Sequence, residues 1–287
     1  MNPRELVRRL AMQEDLNFLL TNRIPRHALT RFIGWFSRIR QPLVRDLSIG
    51  LWRLFTDLDL SDARKQRFDS LHDCFVRELI DGARPFDSDP QVLASPSDGI
   101  VGAAGALDGV TALQIKGMEY SIVELFGDAE LARPYRDGCY VTLRLTSAMY
   151  HRFHAPADAT VTRLDYLSGD CWNVNPIALA RVQRLFCRNE RAVLSMTLAR
   201  GGHPVALVPV AAVLVASMRF RFSDIHLHLR YDGPTRIRCD QRLRKGDEIG
   251  HFEHGSTIVV FAPPGFAPCV ATGERIRAGQ PLMRAPR

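Results

Sequence analysis

At 287 residues, with 46% hydrophobic and 24% charged residues, the chain can bury a sizeable core and has the make-up of an ordinary globular protein. Six scattered cysteines (74, 139, 171, 187, 239, 269), with no C-x-x-C pair and no zinc-like spacing with histidine, argue against a disulfide framework or a metal site and for a reducing compartment. The net charge of +7 is concentrated: between Thr21 and Phe55 seven arginines face one acid, Asp46, so this segment is drawn to an anionic partner.

The N-terminal stretch carries Glu5, Glu14 and Asp15 among its apolar positions, which excludes a signal peptide. Leu6, Val7, Leu10 and Ala11 repeat at helical spacing. After Pro25 so do Leu29, Phe32, Ile33, Phe36 and Ile39, interleaved with Arg31, Arg38 and Arg40 and accompanied by Trp35. A third helix is predicted over residues 43–55, with Leu47, Leu51, Leu54 and Phe55 on one side. Basic, aromatic-bearing amphipathic helices suit a membrane interface, and equally the cap of a soluble core. Nucleic acid is the weaker partner, because the chain has no helix-turn-helix signature, no Lys/Arg run and no aromatic platform motif. The longest apolar run, 207–218, is interrupted by Pro209 and falls short of the roughly 20 residues a membrane span needs.

One further helix is expected near residues 70–79, then a polar connection punctuated by Pro85 and Pro90. Composition shifts at Val92. From there short β segments dominate, with one helical interlude near 175–186, so the fold class is α+β. The expected organisation is helices over 1–60, a helix and connection over 61–91, and a mostly β body over 92–287. Two pairs of segments echo each other. Residues 242–249 and 275–282 share R-[LI]-R-x-G-[DQ]-x-[IL], and Pro96, Asp98, Val101 match Pro156, Asp158, Val161 as P-x-D-x-x-V. Each is a turn feeding a strand, of the kind found in hammerhead-like (lipoyl- or biotinyl-like) β folds, although two matches do not make a repeat protein.

The stretch His254-Gly255-Ser256-Thr257 precedes a strand-like run at 258–262. Gly255 permits strained backbone geometry and leaves its carbonyl open, and the Ser256 hydroxyl can add to that carbonyl. The peptide bond then becomes an ester, and elimination leaves a pyruvoyl group on the new N-terminus, an electron sink for decarboxylation. Gly-Ser is also a common turn pair, and local sequence alone favours that reading. Two histidines, His151 and His154, precede a proline that disfavours helix at Ala155. One of them can act as base toward a serine and then as acid toward its leaving amine. Asp98, in Ser95-Pro96-Ser97-Asp98-Gly99, offers a carboxylate suited to orienting an imidazole.

Taken together, Phe75-Val76-Arg77-Glu78-Leu79, Arg84-Pro85, Ser95 to Gly99, Tyr150-His151-Arg152-Phe153-His154, Val174-Asn175-Pro176, Leu185 to Arg191, and Gly250-His251-Phe252 leading into Gly255-Ser256-Thr257 resemble, nearly end to end, the bacterial-type phosphatidylserine decarboxylase proenzymes. The resemblance implies that Ser256 becomes the pyruvoyl group after cleavage behind Gly255, giving fragments 1–255 and 256–287. It implies that Asp98 and His154 serve self-cleavage and that His151 assists decarboxylation. It further implies phosphatidylserine as substrate, phosphatidylethanolamine as product, and peripheral docking of the N-terminal helices on the cytoplasmic side of the cell membrane, and it leaves a homodimer open. No metal and no nucleic acid are expected. Three positions depart from the family pattern: Ala211 and Ala216 stand where glycine is usual, and His254 where an aliphatic or aromatic residue is usual. The competing readings are a serine hydrolase using Ser256, His154 and Asp98, a non-enzymatic membrane-binding β module, and a decarboxylase for a modified or soluble phosphoserine head group.

Overall fold

A computed structural model of the protein describes residues 15, 18, 25–115, 117–212, 217–222, 226–228, 231–253 and 256–286. The helix expected at 6–11 lies outside these residues, as do Ala216, His254 and Gly255. The chain opens with helices α1 (Arg26–Phe36), α2 (Pro42–Phe55) and the single-turn α3 (Leu71–Phe75). Pro42 opens α2 behind Gln41, whose side chain accepts the Val44 N–H, and Ser70 caps α3 by accepting the Asp73 N–H. Strands β1 (Val92–Ala94), β2 (Gly99–Ala106), β3 (Thr111–Ile115) and β4 (Met118–Ser121) lead into the short helices α4 (Ile122–Phe126) and α5 (Ala129–Ala132). After β5 (Cys139–Arg144), β6 (Arg152–His154) and β7 (Ala159–Leu167) come α6 (Pro176–Arg181) and α7 (Leu185–Arg188). The remainder is strand: β8 (Arg191–Leu198), β9 (Pro204–Ala211), β10 (Ser217–Phe220), β11 (His226–His228), β12 (Arg236–Leu243), β13 (Glu248–Phe252), β14 (Ser256–Ala262), β15 (Ala267–Pro268), β16 (Arg275–Ile276) and β17 (Pro281–Arg284).

Among the described residues the main sheet runs β12-β7-β8-β9-β14-β5-β2-β16, and a smaller one β11-β10-β13-β6. Every strand pair in them is antiparallel. One core fills the space between these sheets, with Leu143, Leu207, Ile258 and Val260 facing Phe153, Met218, Ile249 and Phe252. A second core covers the opposite face of the main sheet, where Val208, Val259 and Phe261 meet Leu125, Phe126, Leu179 and Phe186. Strands β9 and β14 are thus buried on both faces, which is why their sequences are unbroken apolar runs rather than alternating ones.

Two helices are shorter than their periodicity predicts, and tertiary bonds account for both. The interlude near 175–186 is split: Asn175 caps α6, then Arg184 takes a left-handed φ of 53° and α7 begins. Gln114 holds the break, donating to the Leu179 and Val182 carbonyls and accepting the Leu185 N–H. The helix expected to reach residue 79 stops at Phe75, because Arg152 takes the Val76 and Arg77 carbonyls and Leu79 bridges to Ala63.

The two sequence echoes are the two halves of a local pseudo-dyad. Ala278 N–H donates to Asp98 and Lys245 N–H to Asp158, at 2.9 and 2.7 Å. Gly279 and Gly246 N–H donate to the Ser95 and Ala155 carbonyls, and Ser95 and Ala155 N–H return bonds to Gln280 and Asp247. His154 N–H reaches the Pro96 carbonyl as Ala94 N–H reaches that of Pro156. The strands that follow pair alike, Gly99 with Ile276 and Ala159 with Leu243.

Candidate active site

Ser256 is the first residue of β14, paired with Ala211 on β9, and its carbonyl accepts the Leu145 N–H at 2.9 Å. It is wholly buried, and its Oγ has no hydrogen-bond partner among the described residues. A buried hydroxyl without a partner costs free energy unless something else uses it. Ala211 is fixed in turn, its carbonyl bonded by Asn189 Nδ2 and its N–H by the Glu190 carbonyl. Ser256 lines a cavity of about 530 Å³ whose apolar wall is Ile33, Trp52, Leu71 and Phe75 and whose polar wall includes Arg144, Thr146, Asn173 and Asn175. A larger cavity, about 600 Å³, lies elsewhere, between Phe86, Asp158, His203 and Lys245. Volume alone would choose that one. The chemistry is with Ser256.

The structure sorts the four residues expected to act on the substrate or on the chain into two groups. His151 backs onto the Phe75 wall of the Ser256 cavity: its carbonyl accepts the Phe252 N–H at the end of β13 that leads toward the Gly-Ser bond, and its ring centroid is 4.1 Å from that of Phe75. Its Nδ1–H donates to the Met149 carbonyl at 2.8 Å, which fixes the tautomer and makes Nε2 the basic nitrogen. His154 pairs with Glu248, at the other end of β13, four residues and roughly 13 Å along the strand. There Nδ1–H donates to the Gly246 carbonyl at 2.9 Å and Nε2 accepts the Tyr150 hydroxyl at 3.0 Å. Burial pushes the His154 pKa down, against the Gly246 bond, so the ring is neutral at pH 7.

Asp98 precedes β2, two strands from β14 across β5, a backbone separation of roughly 10 Å. Arg84 clasps it at 2.8 and 2.7 Å, both side chains being mostly buried, and reaches Asp62 at 3.0 Å. Burial opposes the Arg84 charge, but the bonds from Asp98 and Asp62 outweigh it and hold the guanidinium above its ordinary pKa. Arg84 also lies over the Tyr150 ring at 6.0 Å, so Asp98, Arg84, Tyr150 and His154 form one chain of contacts.

Several residues of the site carry no sequence signal of their own. Glu253, just before the undescribed His254 and Gly255, is buried and accepts from Ser217 at 2.5 Å, Arg38 at 2.9 Å, and Arg219 and His226 at 3.2 Å each. Burial works against its charge, yet these partners hold its carboxyl far below the usual range. It ties the residues after α1 to the end of β13, the strand that precedes the Gly-Ser bond. The quoted segment 75–79 packs on 150–154: Phe75 on His151, the Val76 carbonyl on Arg152, and Glu78 on Arg152 at 3.5 Å.

The phosphatidylserine decarboxylase family model matches residues 71–284, which takes in Asp98, His151, His154, Glu253 and Ser256 and leaves out α1, α2, Arg38 and Asp62. The chain belongs to the phosphatidylserine decarboxylase family. Proteins named phosphatidylserine decarboxylase proenzyme are similar to it along most of their length. That of Aliivibrio salmonicida is 34% identical over 94% of this chain and 98% of its own. Those of Saccharophagus degradans and Myxococcus xanthus are 34% and 32% identical over 88% of this chain and 91% of theirs. As a member of this family the chain is a decarboxylase made as a proenzyme.

Proposed function

We propose that the protein cuts itself between Gly255 and Ser256 and then decarboxylates phosphatidylserine to phosphatidylethanolamine at the 530 Å³ cavity. The observation that carries this reading is the Ser256 hydroxyl, buried and without a partner among the described residues, beside a cavity whose Phe75 wall backs onto His151. His151 Nε2 is the base that takes the Ser256 proton, since Nδ1 is already committed to Met149. His154 and Asp98, which the resemblance assigns to self-cleavage, act at one remove as positioning residues, through Tyr150, Arg84 and the β6–β13 pairing. The pyruvoyl group derived from Ser256 supplies the electron sink for loss of carbon dioxide. His151 then stands where a proton must be returned.

The substrate is a lipid, and the first two helices suit its delivery. Among them Phe32, Trp35, Leu43, Leu47 and Leu51 are exposed, Trp35 at 64% and Leu43 at 72%, while α2 has no fully buried residue. Ile33 of α1 and Trp52 of α2 line the cavity itself. With Arg31, Arg38, Arg40 and Arg45 alongside, residues 1–60 are read as a dock on the anionic cytoplasmic face of the membrane, 61–91 as a connection, and 92–287 as the catalytic body with its hammerhead-like turn pair. No described helix is long and apolar enough to cross a bilayer.

Intact mass and carbon dioxide release test the reading together. Wild-type protein is expected as fragments 1–255 and 256–287, the smaller with a blocked, carbonyl-bearing N-terminus, and Ser256→Ala as one full-length, inactive chain. His151→Gln is expected to stop cleavage, and His154→Gln to slow it. A wild-type chain that stays whole and releases no carbon dioxide from phosphatidylserine would sink the proposal.

A further inference from the structure

Along β5 the side chains of Cys139, Val141 and Leu143 enter the core between the sheets, which places Tyr140, Thr142 and Arg144 on the opposite face. Arg144 closes the strand, its Cα level with Thr257 on one side and Ile100 on the other, one residue from Ser256. The other well-buried arginines among the described residues have acceptors: Arg77 has the Cys74 and Ala148 carbonyls, Arg84 has Asp98, Arg152 has Glu248, and Arg191 has the Leu125, Asn189 and Glu124 carbonyls. For the Arg144 guanidinium there is no hydrogen-bond acceptor and no carboxylate among the described residues, and only burial acts on its charge. It lines the Ser256 cavity, where its polar neighbours Thr146, Ser147, Asn173 and Asn175 are all uncharged. A half-buried cation without a counter-charge is costly, and a ligand that brings an anion repays that cost.

We propose that Arg144 is the recognition site for the phosphodiester of the lipid head group, a specificity residue that rests on the decarboxylase reading of this cavity. The head group carries two anions, and chemistry decides between them. The carboxylate loses its charge in the reaction, so a guanidinium on it would stabilise the ground state more than the transition state and slow the step. The phosphodiester keeps its charge throughout. With its phosphate on Arg144 and its amine toward Ser256, the lipid directs its glycerol and acyl chains past Ile33 and Trp52, the apolar wall made by α1 and α2.

The test uses processed enzyme and soluble dihexanoyl phosphatidylserine. A lost charge-assisted bond to phosphate predicts that Arg144→Gln raises KM about ten- to a hundred-fold with a much smaller change in kcat, and that Arg144→Lys recovers part of it. Glycerophosphoethanolamine is expected to compete with substrate on the wild-type enzyme far better than ethanolamine does, and to lose that advantage in Arg144→Gln. An unchanged KM, or equal falls in kcat and kcat/KM, overturns the assignment. Inhibition by inorganic phosphate at the same concentrations as by glycerophosphoethanolamine also overturns it, marking a free-phosphate site. Should Arg144→Gln fail to process, the wild-type comparison decides alone: equal weak inhibition by glycerophosphoethanolamine and ethanolamine refutes the proposal. A processed, active wild type with an indifferent Arg144 leaves the decarboxylase reading standing, whereas an inert, uncut wild type removes that reading itself.

Discussion

Asp98 and Asp158 occupy the same turn in the two halves of the pseudo-dyad, and they differ in what else they touch. Each accepts one backbone N–H from the residue before a turn glycine, and each precedes a strand of the main sheet. Asp158 is exposed and has no guanidinium partner among the described residues. Asp98 is buried and held by both arms of Arg84, which in turn touches Tyr150 and, through it, His154. The shared bond is therefore structural, since both halves need it. What Asp98 adds, a buried ion pair leading toward His154, is the part that function can explain.

Asparagine at either position separates the two contributions, because its side-chain oxygen still accepts the turn N–H while the charge is gone. Asp98→Asn leaves Arg84 with Asp62 as its remaining carboxylate and is expected to cost about 1.5–3 kcal/mol and to slow self-cleavage severely. Asp158→Asn is expected to cost less than about 1 kcal/mol and to process like wild type. Denaturant melts and the fraction cleaved after expression measure both. Equal behaviour of the two variants would reduce Asp98 to a turn clamp.

The turn glycines sharpen the contrast between the halves. Gly246 and Gly279 have φ of 92° and 90°, so a side chain at either is strained by about 1–2 kcal/mol. A Cβ on Gly246 would meet the Phe86 ring at 3.2 Å, and a ring can swing aside. On Gly279 it would meet the Pro85 carbonyl oxygen at 2.3 Å, which moves only with the backbone beside Arg84. Gly279→Ala is expected to cost roughly 3 kcal/mol and Gly246→Ala roughly half that, overpacking against backbone being the added term. Thermal melts that rank them the other way would show that residues 85–86 are seated differently on the two turns.

Much of this was legible in the chain itself. The paired echoes at Asp98 and Asp158 and at 242–249 and 275–282 are the two halves of one motif, and the apolar run after Ser256 is a strand buried on both faces. Local sequence does not tell His151 from His154. Three residues apart in a chain of unknown register, they look alike, and only the pairing of β6 with β13 sets one beside the end of β13 that precedes the Gly-Ser bond and the other at its start. The helix ends depart from the periodicity for the same kind of reason, since Gln114 and Arg152 reach in from distant segments to take backbone groups that periodicity assigns to the helix. Glu253 and Arg144 are ordinary charged residues in sequence. Their weight comes from burial, and burial is a property of the fold.

A final difference lies in the strands that follow the two turns. After the second comes β17, whose Arg284 is exposed and pairs with Asp89. After the first comes β13, where the echo sets His251 in the place of Arg284. His251 Nδ1 is buried without a hydrogen-bond partner among the described residues, and burial, reinforced by the charge of Arg152, pushes its pKa down to about 4. The sign follows from linkage. With a folded pKa of about 4 and an unfolded one near 6.5, the unfolded chain takes up the proton first as pH falls. Stability is then full above 6.5 and declines toward 4, by about 1 kcal/mol at pH 5.5 and about 3 kcal/mol in all. His72, His154 and His228, also lowered by burial, add to the same slope. His251→Phe is expected to remove its own share, so that the loss of stability between pH 7 and 5.5 shrinks by about 1 kcal/mol, while Arg284→Leu leaves the slope unchanged. An acid limb identical in wild type and His251→Phe would mean that β13 is as indifferent to protons as its counterpart.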